Sequence, residues 1–168
     1  MAVTYEPIAS TTLGSDTGVV SFDSIPGTYT DLIAVVRGLG TGSTLNGFRV
    51  RVNDISTGTY SNTVLAGDGS SASSNREANS TSWFMTWNSI FDFDDGGIVK
   101  LHIQNYANTN VNKTALSETA TNTQVGRGVH LWRSTNAITK VSFALGGGFP
   151  DINFASGTNF SLYGIKAA

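Results

Sequence analysis

The sequence is dominated by short runs in which apolar and polar residues alternate, and each run is bounded by Gly, Asn, Asp or Ser. The clearest alternation lies in residues 48–52, 99–103, 141–145 and 160–162. A period of two puts every second side chain on one face of a β-strand, and no window shows the 3.6-residue period of a helix. We therefore predict about ten short strands, at the spacing typical of a sandwich or barrel.

The remaining predicted strands have weaker alternation and lie at residues 19–22, 32–36, 60–65, 83–87, 113–116 and 128–132. The run at 32–36 is continuously apolar, which indicates a central strand buried on both faces. Two polar segments, residues 67–80 and 106–112, are predicted as long exposed loops. We expect one all-β domain over residues 1–168, built as an antiparallel β-sandwich.

The composition agrees with a β-rich globular domain and excludes several other classes of protein. Only 13% of the 168 residues are charged, aromatic residues make up 10%, and the net charge is −2. Disordered chains lack aromatics and carry high net charge, so wholesale disorder is not expected. The basic residues form no stripe that would neutralise phosphates, so no nucleic-acid partner is expected. No apolar run approaches the ~20 residues of a membrane-spanning helix, and the N-terminus lacks a signal-peptide pattern.

No residue pattern points to an enzyme, a metal site or a cofactor. The chain has no cysteine, which excludes thiolate nucleophiles, and no G-x-S-x-G motif marks a serine nucleophile. His102 and His130 lie in predicted strands and are interpreted as solvent-facing or interface residues. The acidic cluster of Asp92, Asp94 and Asp95 is interpreted as the solvent-exposed face of an edge strand and the turn that follows it, with a cation site as the alternative.

Aromatic and basic side chains remain as candidates for a binding surface. Trp83 and Trp87 form a possible platform for a sugar ring, although a core or a subunit interface is the commoner place for a large aromatic residue. Arg49 and Arg51 project from the same face of a predicted strand. They either form salt bridges across a subunit interface or keep that face soluble.

Trp132 is the strongest candidate for an interface residue. Alternation puts His130 and Trp132 on one face of their strand, and Val129 and Leu131 on the other, which we take as the core face. Trp132 then points outward, where a neighbouring subunit or a bound sugar would cover it. We favour the subunit, because aromatic residues are enriched at interface cores. The remaining alternative is that the two faces are reversed.

Five segments resemble a family of small β-rich virion proteins of tailed bacteriophages, especially cyanophage-like ones. They lie at residues 5–9, 21–32, 67–71, 131–139 and 160–166. The resemblance implies a jelly-roll-like domain on the surface of the virion, and it carries over no catalytic residues.

The role that this resemblance implies is a capsid decoration, or cement, protein that binds the major capsid protein and stabilises the shell. The implied oligomer is a homotrimer, and the chain is made in the host cytoplasm before it joins the capsid surface. The alternative is a receptor-binding module of a tail fibre or head fibre that recognises host polysaccharide.

Overall fold

A computed structural model describes residues 5–42, 47–85 and 96–166. These residues contain twelve strands: β1 Tyr5–Thr12, β2 Val19–Phe22, β3 Asp31–Gly38, β4 Phe48–Val52, β5 Tyr60–Gly67, β6 Ala72–Ser80, β7 Trp83–Phe84, β8 Gly97–Gln104, β9 Lys113–Thr121, β10 Val125–Trp132, β11 Val141–Leu145 and β12 Asn159–Ile165. Within this part of the chain, no helix has the length and apolar character needed to span a membrane.

The strands form two antiparallel sheets, so the predicted all-β sandwich is confirmed. The larger sheet has eight strands in the order β1-β12-β3-β8-β9-β10-β5-β6, and the smaller has four in the order β2-β11-β4-β7. Most neighbours in both sheets are distant in sequence. The non-consecutive order gives the layered, jelly-roll-like arrangement expected of a sandwich.

The core lies between the two sheets and is rich in aromatic rings. Leu101 and Phe160 of the large sheet and Val50 and Phe143 of the small sheet are all buried. The rings of Phe143 and Phe160 join the two layers with centroids 5.7 Å apart. Alternation in β4 is therefore read correctly from the sequence, since Phe48, Val50 and Val52 share the inner face.

The four sheet edges differ in length and regularity. Strand β1 carries Pro7 and a register shift between Pro7 and Ala9. Strands β2 and β7, the edges of the small sheet, have four and two residues. Strand β6, the other edge of the large sheet, has nine residues and no proline, and it pairs continuously with β5 from Gly67↔Ala72 to Ser61↔Ala78.

The prediction of a loop over residues 67–80 is wrong, because most of this segment forms β6. The strand contains Ser, Asn and Ala but no large apolar residue, so it shows no hydrophobic alternation. Its position is set by the hairpin with β5, in which Asp68 caps the turn by accepting hydrogen bonds from Ser70 N and Ser71 N. Strand β1 was likewise not predicted. Residues 86–87 of the predicted strand at 83–87, and the acidic cluster of Asp92, Asp94 and Asp95, lie outside the described residues.

The loop at residues 106–112 is held in place by the buried side chain of Lys113. Its Nζ donates to the backbone carbonyls of Asn108 at 2.6 Å, Val111 at 2.8 Å and Thr135 at 3.0 Å. Burial lowers the pKa of Lys113. The ammonium group thus ties this predicted loop to the segment that follows β10.

Replacing Lys113 with Met is expected to lower the free energy of unfolding by about 2–3 kcal/mol. The methionine fills a similar volume but leaves three carbonyls without their charged donor. Chemical denaturation measures the change. Lys100→Met removes an exposed lysine from the neighbouring strand and should change stability by less than about 0.5 kcal/mol. Equal effects of the two substitutions would contradict a structural role for Lys113.

Candidate functional site

The two faces of β10 are the reverse of the prediction. Trp132 and His130 point into the core and are 1% and 0% exposed, whereas Val129 is 58% exposed on the outer face of the sheet. The interpretation of Trp132 and His130 as outward-facing interface residues is therefore wrong. Trp132 instead stacks on Tyr60 with ring centroids 6.3 Å apart and an interplanar angle of 22°.

Glycines on the inner face of β10 make room for this arrangement. A Cβ at Gly128 would lie 2.5 Å from His130 Nε2 and 2.6 Å from Ser117 Oγ. A Cβ at Gly126 would lie 2.8 Å from Thr119 Oγ1. Side-chain size on this face therefore increases along the strand, from Gly126 and Gly128 to His130 and Trp132, and the two sheets can enclose a histidine between them.

His130 is the centre of a buried polar cluster that joins three strands. Its Nε2 lies 2.8 Å from Ser117 Oγ on β9, and its Nδ1 lies 3.0 Å from Asn62 Oδ1 on β5. The Asn62 amide also accepts from Phe84 N at 3.1 Å and donates to Ser82 O at 3.1 Å. Sequence analysis missed this cluster, because its members are brought together only by strand pairing.

The hydrogen bonds fix the tautomer of His130. The Asn62 Nδ2 donates to a carbonyl, so Asn62 Oδ1 is the acceptor that faces the imidazole. Nδ1 of His130 must then carry the proton, and Nε2 accepts from the hydroxyl of Ser117. Hydroxyl, imidazole and amide stand in the order found in catalytic triads.

The enclosure of this cluster favours a structural role over nucleophilic catalysis. Ser117, His130 and Asn62 are all buried, so a substrate has no approach to the Ser117 hydroxyl. Desolvation lowers the pKa of His130 to about 3, and a base that weak removes a serine proton poorly. The arrangement serves to satisfy polar groups between the sheets and to fix the register of β5, β9 and β10.

The remaining predicted site residues occupy two different places. Trp83 is buried, with its ring edge-on to Tyr60 at 6.0 Å, so it cannot be the predicted sugar platform. Trp87, its predicted partner, lies outside the described residues. The arginines do share the outer face of the small sheet, and the guanidinium of Arg49 lies 4.7 Å from the Phe84 ring centroid while that of Arg51 lies 4.1 Å from the Phe149 ring centroid.

The outer face of the large sheet carries an exposed apolar patch. We define the outer patch as four residues on β5, β9 and β10, which are 58%, 42%, 62% and 58% exposed: Leu65, Leu116, Val125 and Val129. Val129 lies directly opposite Leu116 on one side and Thr63 on the other. Adjacent exposed apolar side chains on a flat sheet are typical of an interaction surface.

A row of charged residues crosses the outer patch. Lys100, Glu118 and Arg127 lie side by side on β8, β9 and β10, with Lys100 Nζ 3.5 Å from Glu118 Oε2 and Arg127 in direct contact with Glu118. Arg127, by hydrogen bonding, and Lys100, by its charge, lower the pKa of the Glu118 carboxyl. These three charges therefore pair with one another.

One end of the outer patch continues into an open groove. The groove has a volume of about 730 Å³ and lies where the β5–β6 hairpin meets the start of β10, with Leu65, Val125 and Arg127 in its lining. The groove thus extends the apolar surface of the outer patch towards the β5–β6 hairpin.

On the same outer face, His102 and Asp31 form a half-buried pair. His102 Nε2 lies 2.8 Å from Asp31 Oδ2, and Asp31 Oδ1 accepts from Asn105 N at 2.8 Å. Among the described residues, no three His, Cys, Asp or Glu side chains are grouped as a metal site would require.

Comparisons with known proteins give only weak structural likenesses. No protein-family profile and no curated protein matches the sequence. The chain is similar in structure to scytalido-glutamic peptidase (15% identity, TM-score 0.36, 88% of this chain and 75% of that one). It is also similar to galectin LEC-6 of Caenorhabditis elegans (10% identity, TM-score 0.37, 94% of this chain and 96% of that one). A third likeness is to the enzymatically active domain of bacteriophage CBA120 tailspike protein 2 (7% identity, TM-score 0.41, 98% of this chain and 29% of that one). Likenesses at this level carry no argument about function.

Proposed function

We propose that this chain is a structural protein of a bacteriophage virion, a capsid decoration protein that binds the outer surface of the shell as a homo-oligomer. The virion context comes from the five sequence segments that resemble such proteins. The structural support is a single observation, the outer patch on the large sheet. Exposed apolar surface of this kind is costly in water unless a partner covers it. We assign the outer patch the role of contacting the major capsid protein.

A binding role accounts for the described residues better than catalysis does. The one constellation with triad-like geometry is sealed between the sheets. The charged row of Lys100, Glu118 and Arg127 is paired internally, so it adds specificity to a contact without supplying an acid or a base. A virion role also agrees with a chain whose stability does not depend on disulfide bonds.

Shell binding can be tested by placing a charge in the outer patch. In Val129→Lys, binding to undecorated shells, measured by co-sedimentation, should weaken at least tenfold, since a buried valine contributes about 1.5–3 kcal/mol. Val19→Lys makes the same chemical change at a 39% exposed valine on the small sheet and should leave binding unchanged. Circular dichroism should show that both variants keep the β-sandwich.

Two results would overturn the proposal. If Val129→Lys binds shells as the unmodified chain does, the outer patch is not the shell contact. If purified virions contain only a handful of copies, located on the tail, the decoration role is wrong. The fibre module that recognises host polysaccharide would then be the better explanation, and binding to host glycan would be expected.

A further inference from the structure

Among the described residues, strand β6 is the edge with the longest regular backbone. Natural β-proteins prevent edge pairing with prolines, bulges, very short edge strands or charged side chains. The other three edges have such devices, namely Pro7 and a register shift in β1, and lengths of four and two residues in β2 and β7. Strand β6 has nine residues and no proline, and its register shift lies near its end, at Asn79. Arg76 and Glu77 are the charged residues that any edge pairing must accommodate.

The hairpin geometry shows which backbone groups of β6 point away from β5. Asp68 N donates to Ser71 O at 3.2 Å, so residues 68 and 71 form a hydrogen-bonded pair. Such pairs alternate along an antiparallel ladder with pairs that do not exchange hydrogen bonds. The β6 residues that exchange no hydrogen bonds with β5 are therefore Ala72, Ser74, Arg76 and Ala78. Their N–H and C=O groups point outward from the sheet.

We propose that β6 pairs antiparallel with β6 of a second copy around a two-fold axis, so that the large sheets of two copies join edge to edge. The four residues whose backbone groups point outward would form about eight main-chain hydrogen bonds across the axis. This contact goes beyond the proposed function and does not depend on it.

The charges and the length of β6 together select one register. With the axis at Asn75, Arg76 lies opposite Ser74 of the second copy, and Glu77 lies opposite Ser73 of the second copy. Axes at Arg76 or Glu77 would place like charges directly opposite each other, which is destabilising. The Asn75 register pairs residues 72–78 and ends before Asn79, where a positive φ of 58° and a register shift interrupt the ladder.

Pairing with a second copy would also bring the two outer patches together. Leu65 lies on β5, directly beside Ser74 of β6. Edge pairing around a perpendicular axis keeps the outer faces of both copies on the same side. The outer patches then lie near each other across the axis and form one extended surface.

A cysteine at the axis tests the register directly, because the chain has no cysteine of its own. In Asn75→Cys, the two sulfur atoms should meet, since opposed residues at such positions have Cα atoms about 4.5 Å apart, within disulfide range. Mild oxidation should convert most of the protein to a covalent dimer. Glu77→Cys is the matched control. In this register the cysteine introduced at position 77 of one copy lies opposite Ser73 of the other, four residues away from the second cysteine, so this variant should stay unlinked.

A proline tests the pairing without disturbing the monomer. Ser74→Pro removes an N–H that points outward, so the ladder with β5 is kept, and the dimer dissociation constant should rise at least tenfold. Ser74→Ala should behave as the unmodified chain. Light scattering should give the mass of two copies for the unmodified chain. A monomer, or the trimer implied by the sequence resemblance, would overturn the proposal, as would equal cross-linking of both cysteine variants.

Discussion

Replacing Trp132 with Ala is expected to lower the free energy of unfolding by about 3–5 kcal/mol, because the substitution opens a cavity in the core. The ring of Trp132 is 1% exposed and stacks on Tyr60, which in turn contacts Trp83. The two neighbouring rings cannot fill the space without leaving their positions. Urea denaturation followed by circular dichroism measures the loss.

Val129→Ala provides the control for this experiment on the same strand. Val129 faces outward, so its truncation should change stability by no more than about 0.5 kcal/mol. If Trp132→Ala left stability intact and only dissociated an oligomer, the reversed faces of β10 would be refuted. The interpretation of Trp132 as an interface residue would then be correct.

Stability should also fall steeply as the pH is lowered from 6.5 towards 3. His130 has a pKa of about 3 in the folded protein and about 6.5 in the unfolded chain. Between these values the unfolded state binds a proton that the folded state does not, so the free energy of unfolding decreases as the pH falls. The slope approaches about 1.4 kcal/mol per pH unit once the pH is well below 6.5, so the loss between pH 6.5 and 4.5 is about 2.3 kcal/mol.

Variants at the two histidines separate this effect from other titrations. His130→Gln removes the buried imidazole, so its stability should be nearly independent of pH between 6.5 and 4.5, although its stability at pH 7 is reduced. His102→Gln changes a half-buried histidine on the outer face and should keep the slope assigned to His130. A slope that persists in His130→Gln would show that another group is responsible. Most carboxyl groups titrate below this interval.

The fold class was predictable because a period of two is a local property of the chain. In β4, the three apolar residues all face the same layer and the intervening arginines face away. Every residue of the strand therefore points to the same assignment. The same consistency made β8, β11 and β12 visible in the sequence.

Which face of β10 is buried could not be predicted from the residues of the strand alone. Both faces carry apolar side chains, with Val129 and Leu131 on one and Trp132 on the other, and a polar histidine lies on the inner face. Which face is buried depends on partners in other strands, namely Tyr60 for the tryptophan and Ser117 and Asn62 for the histidine. Hydrophobicity alone therefore favoured the wrong face.

Strand β6 and the polar cluster escaped prediction for related reasons. Strand β6 is held by backbone pairing with β5, and its serine and asparagine content is that of a loop. The members of the cluster are separated by up to 68 residues, the distance between Asn62 and His130. Contacts of that kind follow from topology, and no local spacing reveals them.

The position of β12 has a consequence for how the chain folds as it is synthesised. This strand, at residues 159–165, lies between β3 and β1 and contributes the buried Phe160 and Leu162. Until it leaves the ribosome, β1 has no partner in the large sheet and part of the core is open to water. The sandwich can therefore close only after translation of its last strand, and the emerging chain must stay free of aggregation until then.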